Sequence, residues 1–495
     1  MIGMELAREL EASLREFSAA APVEVRENGG RVAPLASLSW EVRGAAEKPL
    51  IHLWSAEHNL TRRVLAITDY SEQHLILAVE RFGRSKPDRL EFVRVNFERS
   101  ERDTSRRAFC EQLRRILSEQ FPDEAVESLT ISRDLEHSLS GNYARGILRR
   151  GSTEWAVLGV GEGESADTIE NSLTFALLWM ERARQLSRRG TIAGLRVILP
   201  KGGTRVVAQR VRALHSQLAL ELYECDPVRE VLEKLDPRTA GNIDSWIVPQ
   251  RESRSLLERA GGALDRIIAL APRAISAHSS VASGEVWLRF RGLPIAKWDD
   301  DHVFFGSDEQ RQELTAASWP ACKKLVADLE IYRRPLASDT RHGLYRAQAE
   351  RWLEAIIRED VTRVDAQLDA RFLYAQVFAN AGGEHGILDL LGVTRTGRLA
   401  ILELKATEHI HLALQAAGYW RHVQHHLERG DLSRYGYFPG IQLQETPPLV
   451  YLVAPALRFH PATDELLRSL APEVEIVRVG LAESWRRGVR VVMRQ

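Results

Sequence analysis

Cysteine is scarce: the 495-residue chain holds three, Cys110, Cys225 and Cys322, far apart and without CxxC or Cys/His spacing. That excludes a disulfide framework and a zinc knuckle as organising devices, and a reducing, cytoplasmic setting fits best. Charge of one sign is missing as well. Lys and Arg number 67 against 68 Asp and Glu, so the bulk field does not advertise a polyanion partner, and any nucleic-acid contact must be a local patch. No run approaches the roughly 18 uninterrupted apolar residues of a membrane span. The opening MIGMELARELEASLREF carries acids where a secretory signal has a basic segment followed by an apolar one, and no membrane association is expected. There is no GxxxxGK[ST] loop, and GVGEGES at 159–165 has two glutamates and no lysine, so an intrinsic nucleotide motor is not expected either. Low-complexity tracts and repeats of roughly 20 to 50 residues are absent.

What remains is an ordinary folding composition, 44% hydrophobic and 27% charged, in a chain long enough for several domains at roughly 150 residues each. The patterning predicts a multidomain α/β protein. Residues 1–120 read as a small, mainly β domain with flanking helices, from the runs LIHLWS, RVLAITDY, LILAVERFG and EFVRVNF. Residues 121–235 read as an α/β layer, with WAVLGVG, GLRVILP and LALELYE as buried strands and helices between them. Residues 236–340 read as connecting structure around the helix LLERAGGALDRIIALA and the β-rich GEVWLRFRGLPIAKW. The triplet Asp299, Asp300 and Asp301 falls in a turn between two strands, where solvated carboxylates are expected in preference to a metal site. Two arginine clusters, Arg145, Arg149 and Arg150, and Arg182, Arg184, Arg188 and Arg189, are candidate phosphate contacts whose structural alternative is a solvated helix face.

The chemistry concentrates in residues 341–495. GILDLLGV and RLAILELK read as two strands joined by the turn Thr394–Gly397, followed by a helix. Glu403 and Lys405 are two apart and therefore share one face of a strand, while Ala400, Leu402 and Leu404 cover the other. A carboxylate and an ammonium at the end of a buried strand cost several kcal/mol unless paired or bound to an ion. Asp389 lies in the preceding strand, and hairpin pairing would bring it beside Glu403. Two hard carboxylates make a site suited to Mg²⁺ or Mn²⁺, and phosphodiester hydrolysis needs such an ion together with a cation such as Lys405 to orient water and offset charge. The structural alternative is an acid–lysine ion pair tying two strands together. On the following helix His411, Gln415, Tyr419 and His422 recur at spacings of four, four and three, giving a polar stripe where packing would want apolar groups. The preceding helix, YRAQAERWLEAIIRED, carries Glu350 and Glu354 one turn apart. His385 and His411 are candidate rim residues.

A helical Glu, an Asp in a strand, Glu-x-Lys in the next and Gln-x-x-x-Tyr on the following helix resemble the PD-(D/E)xK nuclease superfamily, closest to its RecB-like branch. The resemblance covers about 345–480, less than a third of the chain. It implies a restriction-endonuclease-like α/β core and an endo- or exonuclease dependent on Mg²⁺ or Mn²⁺, acting on DNA more readily than RNA. Residue by residue, Glu354, Asp389 and Glu403 would bind metal, Lys405 would align water, and Gln415 and Tyr419 would position the site. Leu388 stands where many members have the proline. Glu350 competes with Glu354 as the helical acid; Glu354 is preferred because Ala355, Ile356 and Ile357 follow it. The other readings are a nucleic-acid-binding module that keeps the fold without turnover, and a partner-activated nuclease subunit of a defence or repair complex. A homodimer and a protein partner both remain open. The order of elements in the middle region matches that of the end, which predicts a degenerate nuclease-like copy with Gly159 and Gly161 near the positions of the acid and the lysine. Such a copy would bind no ion and would hold nucleic acid through Arg145, Arg149 and Arg150.

Overall fold

The computed structural model describes residues 2–20, 22–28, 30–44, 48–54, 59–71, 73–80, 88–134, 136–188, 190–243, 245–300, 302–306, 311–375, 377–379 and 388–495. Two compact units divide the chain, Met1–Ser105 with Ala337–Ala347, and Arg106–Leu336 with Gln348–Gln495. The first is a sheet of seven antiparallel strands between Gly30–Pro34 at one edge and Ser39–Arg43 at the other. The helix Ile2–Ala20 lays Leu10, Leu14 and Phe17 against Val25, Leu53, Leu77 and Phe92, which forms this unit's core. The unit differs in extent from the domain expected at 1–120: it stops at Ser105 and takes in Ala337–Ala347.

The second unit repeats one architecture. Its first six-stranded sheet runs, in spatial order, Ala125–Thr130, Ala144–Arg150, Thr153–Gly159, Thr191–Pro200, Leu220–Asp226 and Val231–Leu235. Successive neighbours are antiparallel, antiparallel, parallel, parallel and antiparallel. The second sheet runs Leu368–Tyr374, Leu390–Thr394, Leu399–Leu404, Leu449–Pro455, Ile476–Leu481 and Val491–Arg494 with the same sequence of directions. Helices fall at matching places. Val95–Gln120 and Ala349–Glu359 precede the first strands, Ser172–Leu186 and Leu412–Glu428 follow the third, and Arg205–Val211 and Thr463–Arg468 follow the fourth. Parallel neighbours need such helical crossovers, which is why the apolar runs of both regions alternate with helices.

The two copies pack face to face in a reciprocal way. Leu412–Glu428 lies on Arg205–Val211, and Ser172–Leu186 lies on Thr463–Arg468. Between them Leu214 bridges Leu470; His215 N donates to Ser469 O and Ala471 N donates to Ala213 O, each at 2.9 Å. A contact in which each side offers the same patch is the isologous geometry of a two-fold dimer, here built within one chain. One apolar core runs through both, from Leu158, Leu177 and Leu199 to Ile401, Leu414 and Leu452. That shared core is why residues 121–235 and 348–495, expected in separate domains, belong to one unit.

The region expected as connecting structure holds more. Ile275–Ser280, Glu285–Phe290, Leu293–Asp299, His302–Phe305 and Gln312–Glu313 form a five-stranded antiparallel sheet, covered by the helix Gln250–Ile268 through Leu256, Ala260, Leu264 and Ile267. The turn after Phe290 sits flat on the helix Ala349–Glu359. Gly292 has φ +82°, and a Cβ there would lie 2.0 Å from Arg351 O, so only glycine allows the approach. Asp299 and Asp300 fall at the expected turn, paired with Lys297 and Arg259, while Asp301 lies outside the described residues. Among the described residues no helix is long and apolar enough to cross a membrane.

Register aligns the two sheets residue by residue at the end of the third strand. Lys405 N donates to Val453 O as Val160 N donates to Ile198 O, and Leu158 pairs with Arg145 as the continued Leu390–Leu402 register pairs Glu403 with Asp389. Arg145, Leu158 and Val160 therefore occupy the places of Asp389, Glu403 and Lys405, while Gly159 and Gly161, expected there from the sequence, lie with Ala144 on the opposite face of the sheet. On that opposite face the helix Val95–Gln120 packs its apolar residues against the strand. A Cβ on Gly159 would lie 2.4 Å from Leu113 Cδ2, and one on Gly161 would lie 3.3 Å from Phe109 Cγ. Phe109 and Leu113 are one turn apart, as Glu350 and Glu354 are in the second copy. Gly159→Glu is accordingly expected to overpack this face against Leu113 and Phe109, at a cost of about 1–3 kcal/mol. The check is a lower denaturation midpoint for the variant; an unchanged midpoint would mean the cleft is open.

Candidate active site

The acidic cluster sits where the Leu390–Thr394 and Leu399–Leu404 strands, both fully buried, reach the end of the sheet. Asp389 immediately precedes its strand and its Oδ2 accepts from Leu404 N at 2.9 Å, capping the hairpin. Lys405 N donates to Val453 O at 3.0 Å, which fixes the residue against the neighbouring parallel strand. Its Nζ lies 3.1 Å from Glu403 Oε1 and 3.8 Å from Glu350 Oε2. Glu403 is 1% exposed, and its Oε2 is buried without a hydrogen-bond partner. A buried acceptor left unmade costs about 1–3 kcal/mol, more when charged.

Electrostatics follow from that crowding. Burial, then repulsion from Asp389, pushes the Glu403 carboxyl well above its ordinary range, with Lys405 opposing. Burial likewise raises Asp389 to about 6, against the pull of Lys405 and the Leu404 amide. Burial would lower Lys405, but Glu403, Glu350 and Asp389 outweigh it and hold the ammonium above its ordinary value. The two acids are raised chiefly by burial and the lysine by the acids around it, so one ammonium is set against several buried carboxylates. Among the described residues no group of three or more His, Cys, Asp or Glu side chains is already arranged to hold a metal ion.

The helical acids divide. Glu350 reaches Lys405, with its side chain 43% exposed. Glu354, preferred in the sequence, is 3% exposed and enclosed by arginines: Arg351 at 2.7 Å, Arg358 at 3.7 Å and Arg289 at 3.9 Å. Gln415 Nε2 donates to Tyr419 Oη at 3.1 Å, and the buried tyrosine is pushed upward by burial and then by Glu403. The rest of the polar stripe serves the packing of the two copies. His411 Nδ1 lies 2.9 Å from Thr174 Oγ1, while His422 lies 2.8 Å from Ser245 Oγ and 3.3 Å from Gln209 Oε1. His385 lies outside the described residues.

The arginine patch expected on the first copy does not form a free cationic face. Arg145 is 2% exposed and donates to the carbonyls of Ser140, at 2.8 Å, and Ser132, so its guanidinium is committed to holding a loop. Arg149 pairs with Glu127 and Arg150 with Asp123. Arg182 and Arg184 are engaged by Gln185 and Glu181 on their own helix, Arg188 is exposed, and Arg189 lies outside the described residues.

Two groups near the cluster escaped the sequence. His409 Nδ1 is buried without a hydrogen-bond partner, and burial, then Lys405, holds this imidazole down at about 4, so it is neutral. Arg210, from the first copy, packs beside Gly418 and donates to Glu170 O at 2.5 Å within the field of Tyr419 and Glu403. Neither has a local motif; the second is brought in only by the pairing of the copies. No protein-family model matches the chain, and no curated protein sequence matches it.

Proposed function

We propose that the chain is a divalent-metal-dependent nuclease hydrolysing phosphodiester bonds, most readily of DNA, with the second sheet as a PD-(D/E)xK-type catalytic copy and the first as its degenerate partner. The observation that carries this reading is Glu403 Oε2, a carboxylate oxygen buried beside Asp389 with no partner to satisfy it. Asp389 and Glu403 supply hard oxygen donors of the kind Mg²⁺ and Mn²⁺ prefer. The residues therefore fit such an ion, and Glu350 supplies the third acid in preference to Glu354, whose charge is already matched by arginines. When bound, the ion would polarise a phosphate oxygen and lower the pKa of water.

Lys405 holds its proton, orients the attacking water and offsets the negative charge that develops on the phosphate. Asp389 also fixes the Leu404 amide, so the strand end that carries Lys405 keeps its direction. Tyr419, oriented by Gln415, closes the floor of the site beside Glu403. The repeated topology supports the reading further: the first copy has the scaffold with Arg145, Leu158 and Val160 where the second has acid, acid and lysine, so the acidic pair belongs to one site and not to the fold.

The test is incubation of the purified full chain with Mg²⁺ or Mn²⁺ and linear duplex, single-stranded, circular and branched DNA, and RNA. Cleavage of DNA that EDTA stops and added Mg²⁺ restores is the expected result. Intact substrates throughout, with both metals, would contradict the reading.

A further inference from the structure

A second charged site opens beside the acidic cluster, where the five-stranded sheet meets the helix Ala349–Glu359 that also carries Glu350. A cavity of about 400 Å³ opens there, lined by eight arginines and, on the acidic side, by Glu354 and Glu359. We propose that this cavity binds a compact ligand carrying two or more phosphate groups. The proposal goes beyond the cleavage reading and does not rest on it.

The charge balance is the first argument. Glu354 is shared among Arg289, Arg351 and Arg358, leaving the cavity cationic after its acids are counted. His278 adds no proton to this excess: burial, then Arg289, Arg358 and Arg351, hold it down at about 2. Guanidinium groups gathered in a recess repel one another, and an anion with several acceptor oxygens offsets that repulsion through paired N–H···O contacts.

Preorganisation is the second argument. Arg291 donates to Arg333 O, so its stem is anchored across the cavity wall. Arg486 lies 4.2 Å from the Trp485 ring and 5.4 Å from the Trp352 ring, held by cation–π contact. At the floor the Gly292 turn packs so closely on the Arg351 carbonyl that no side chain fits between them. Arginines held this way lose little freedom when they close on a ligand, which is how a site gains affinity without more contacts.

Size is the third. A recess of 400 Å³ lies in the range of about 300–1,000 Å³ that suits small-molecule sites and is far too confined for a duplex. Phosphates of two sources fit it: a free small molecule, or the 5′-phosphorylated end of a single strand.

Calorimetric titration of the full chain in EDTA, which takes the acidic cluster out of play, tests the proposal with sodium tripolyphosphate and with short single-stranded oligonucleotides bearing or lacking a 5′-phosphate. The expected result is one tripolyphosphate per chain, with affinity falling at least about tenfold in Arg358→Gln/Arg487→Gln, since each charge-assisted contact is of that order. Ala355→Glu, which removes no arginine and places a carboxylate in the lining, should weaken binding as much while keeping the wild-type thermal midpoint. Tripolyphosphate alone competing for the site identifies a free ligand; a 5′-phosphorylated strand that competes where its unphosphorylated form does not identifies a strand end. No heat with any phosphate probe, or equal affinity in wild type and both variants, overturns the proposal. Either result leaves cleavage by the acidic cluster a separate question.

Discussion

Glu403→Gln should abolish cleavage and at the same time raise the thermal midpoint of the metal-free protein. The wild-type carboxylate is 1% exposed, repelled by Asp389, and leaves Oε2 without a partner. A neutral amide of the same shape removes the repulsion and most of the desolvation cost, while Lys405 keeps Glu350 and Asp389 as counter-charges. Relief of a buried unsatisfied acceptor is worth about 1–3 kcal/mol, which corresponds to a rise of a few degrees at roughly 2–4 °C per kcal/mol. Scanning calorimetry in EDTA measures it. Added Mg²⁺ should then stabilise the wild type, because an ion that binds the folded state shifts the equilibrium toward it, and should leave Glu403→Gln unmoved. A lower midpoint for the variant in EDTA, or retained cleavage, would contradict the assignment.

Lys405→Ala should lose in both respects. Removing a preorganised cation from the developing charge costs about 10²–10³ in rate, so cleavage should fall at least that far. Stability should fall too, because Glu403 and Asp389 then face each other in a buried pocket with no nearby ammonium, and breaking a buried pair from one side typically costs about 3–5 kcal/mol. Gel cleavage assays and denaturant unfolding read the two effects separately. Wild-type rates in this variant would remove Lys405 from the mechanism.

The opposite responses expected of two residues 3.1 Å apart show which information the sequence carries. The pairing of Asp389 with Glu403 was legible because a strand has a period of two and a hairpin has one register, so two apolar runs and a turn suffice to bring the acids together. The repeated order of strands and helices was legible for the same reason, since buried parallel strands read as apolar runs separated by helical crossovers. The choice between Glu350 and Glu354 was not. Both occupy one helix, and what separates them is the arginine cage around Glu354, built by Arg351 and Arg358 of the same helix and closed by Arg289 from another sheet.

Arg145 was misleading because an arginine that serves a loop by holding the carbonyls of Ser140 and Ser132 has the same local sequence as one that faces solvent. The strand Ile275–Ser280 escaped because AHSSVASG is polar. It lies at the edge of its sheet, with Ser276 and Ala277 exposed, so no apolar alternation marks it. The role of His411 and His422 in joining the two copies depends on Thr174, Gln209 and Ser245, none of them near in sequence; a polar stripe on a helix tells only that polar partners exist.

The claim on which the rest depends is that Asp389 and Glu403 hold a divalent ion. Anomalous diffraction from crystals grown with Mn²⁺, collected at a wavelength where manganese scatters anomalously, reads this directly. The account predicts a peak within coordination distance of Asp389 and Glu403 Oε2, with Glu350 turned toward it, and no peak at Arg145 and Leu158 in the first copy. A map without density at the acidic pair at saturating Mn²⁺, or with the ion bound elsewhere in the chain, would contradict it.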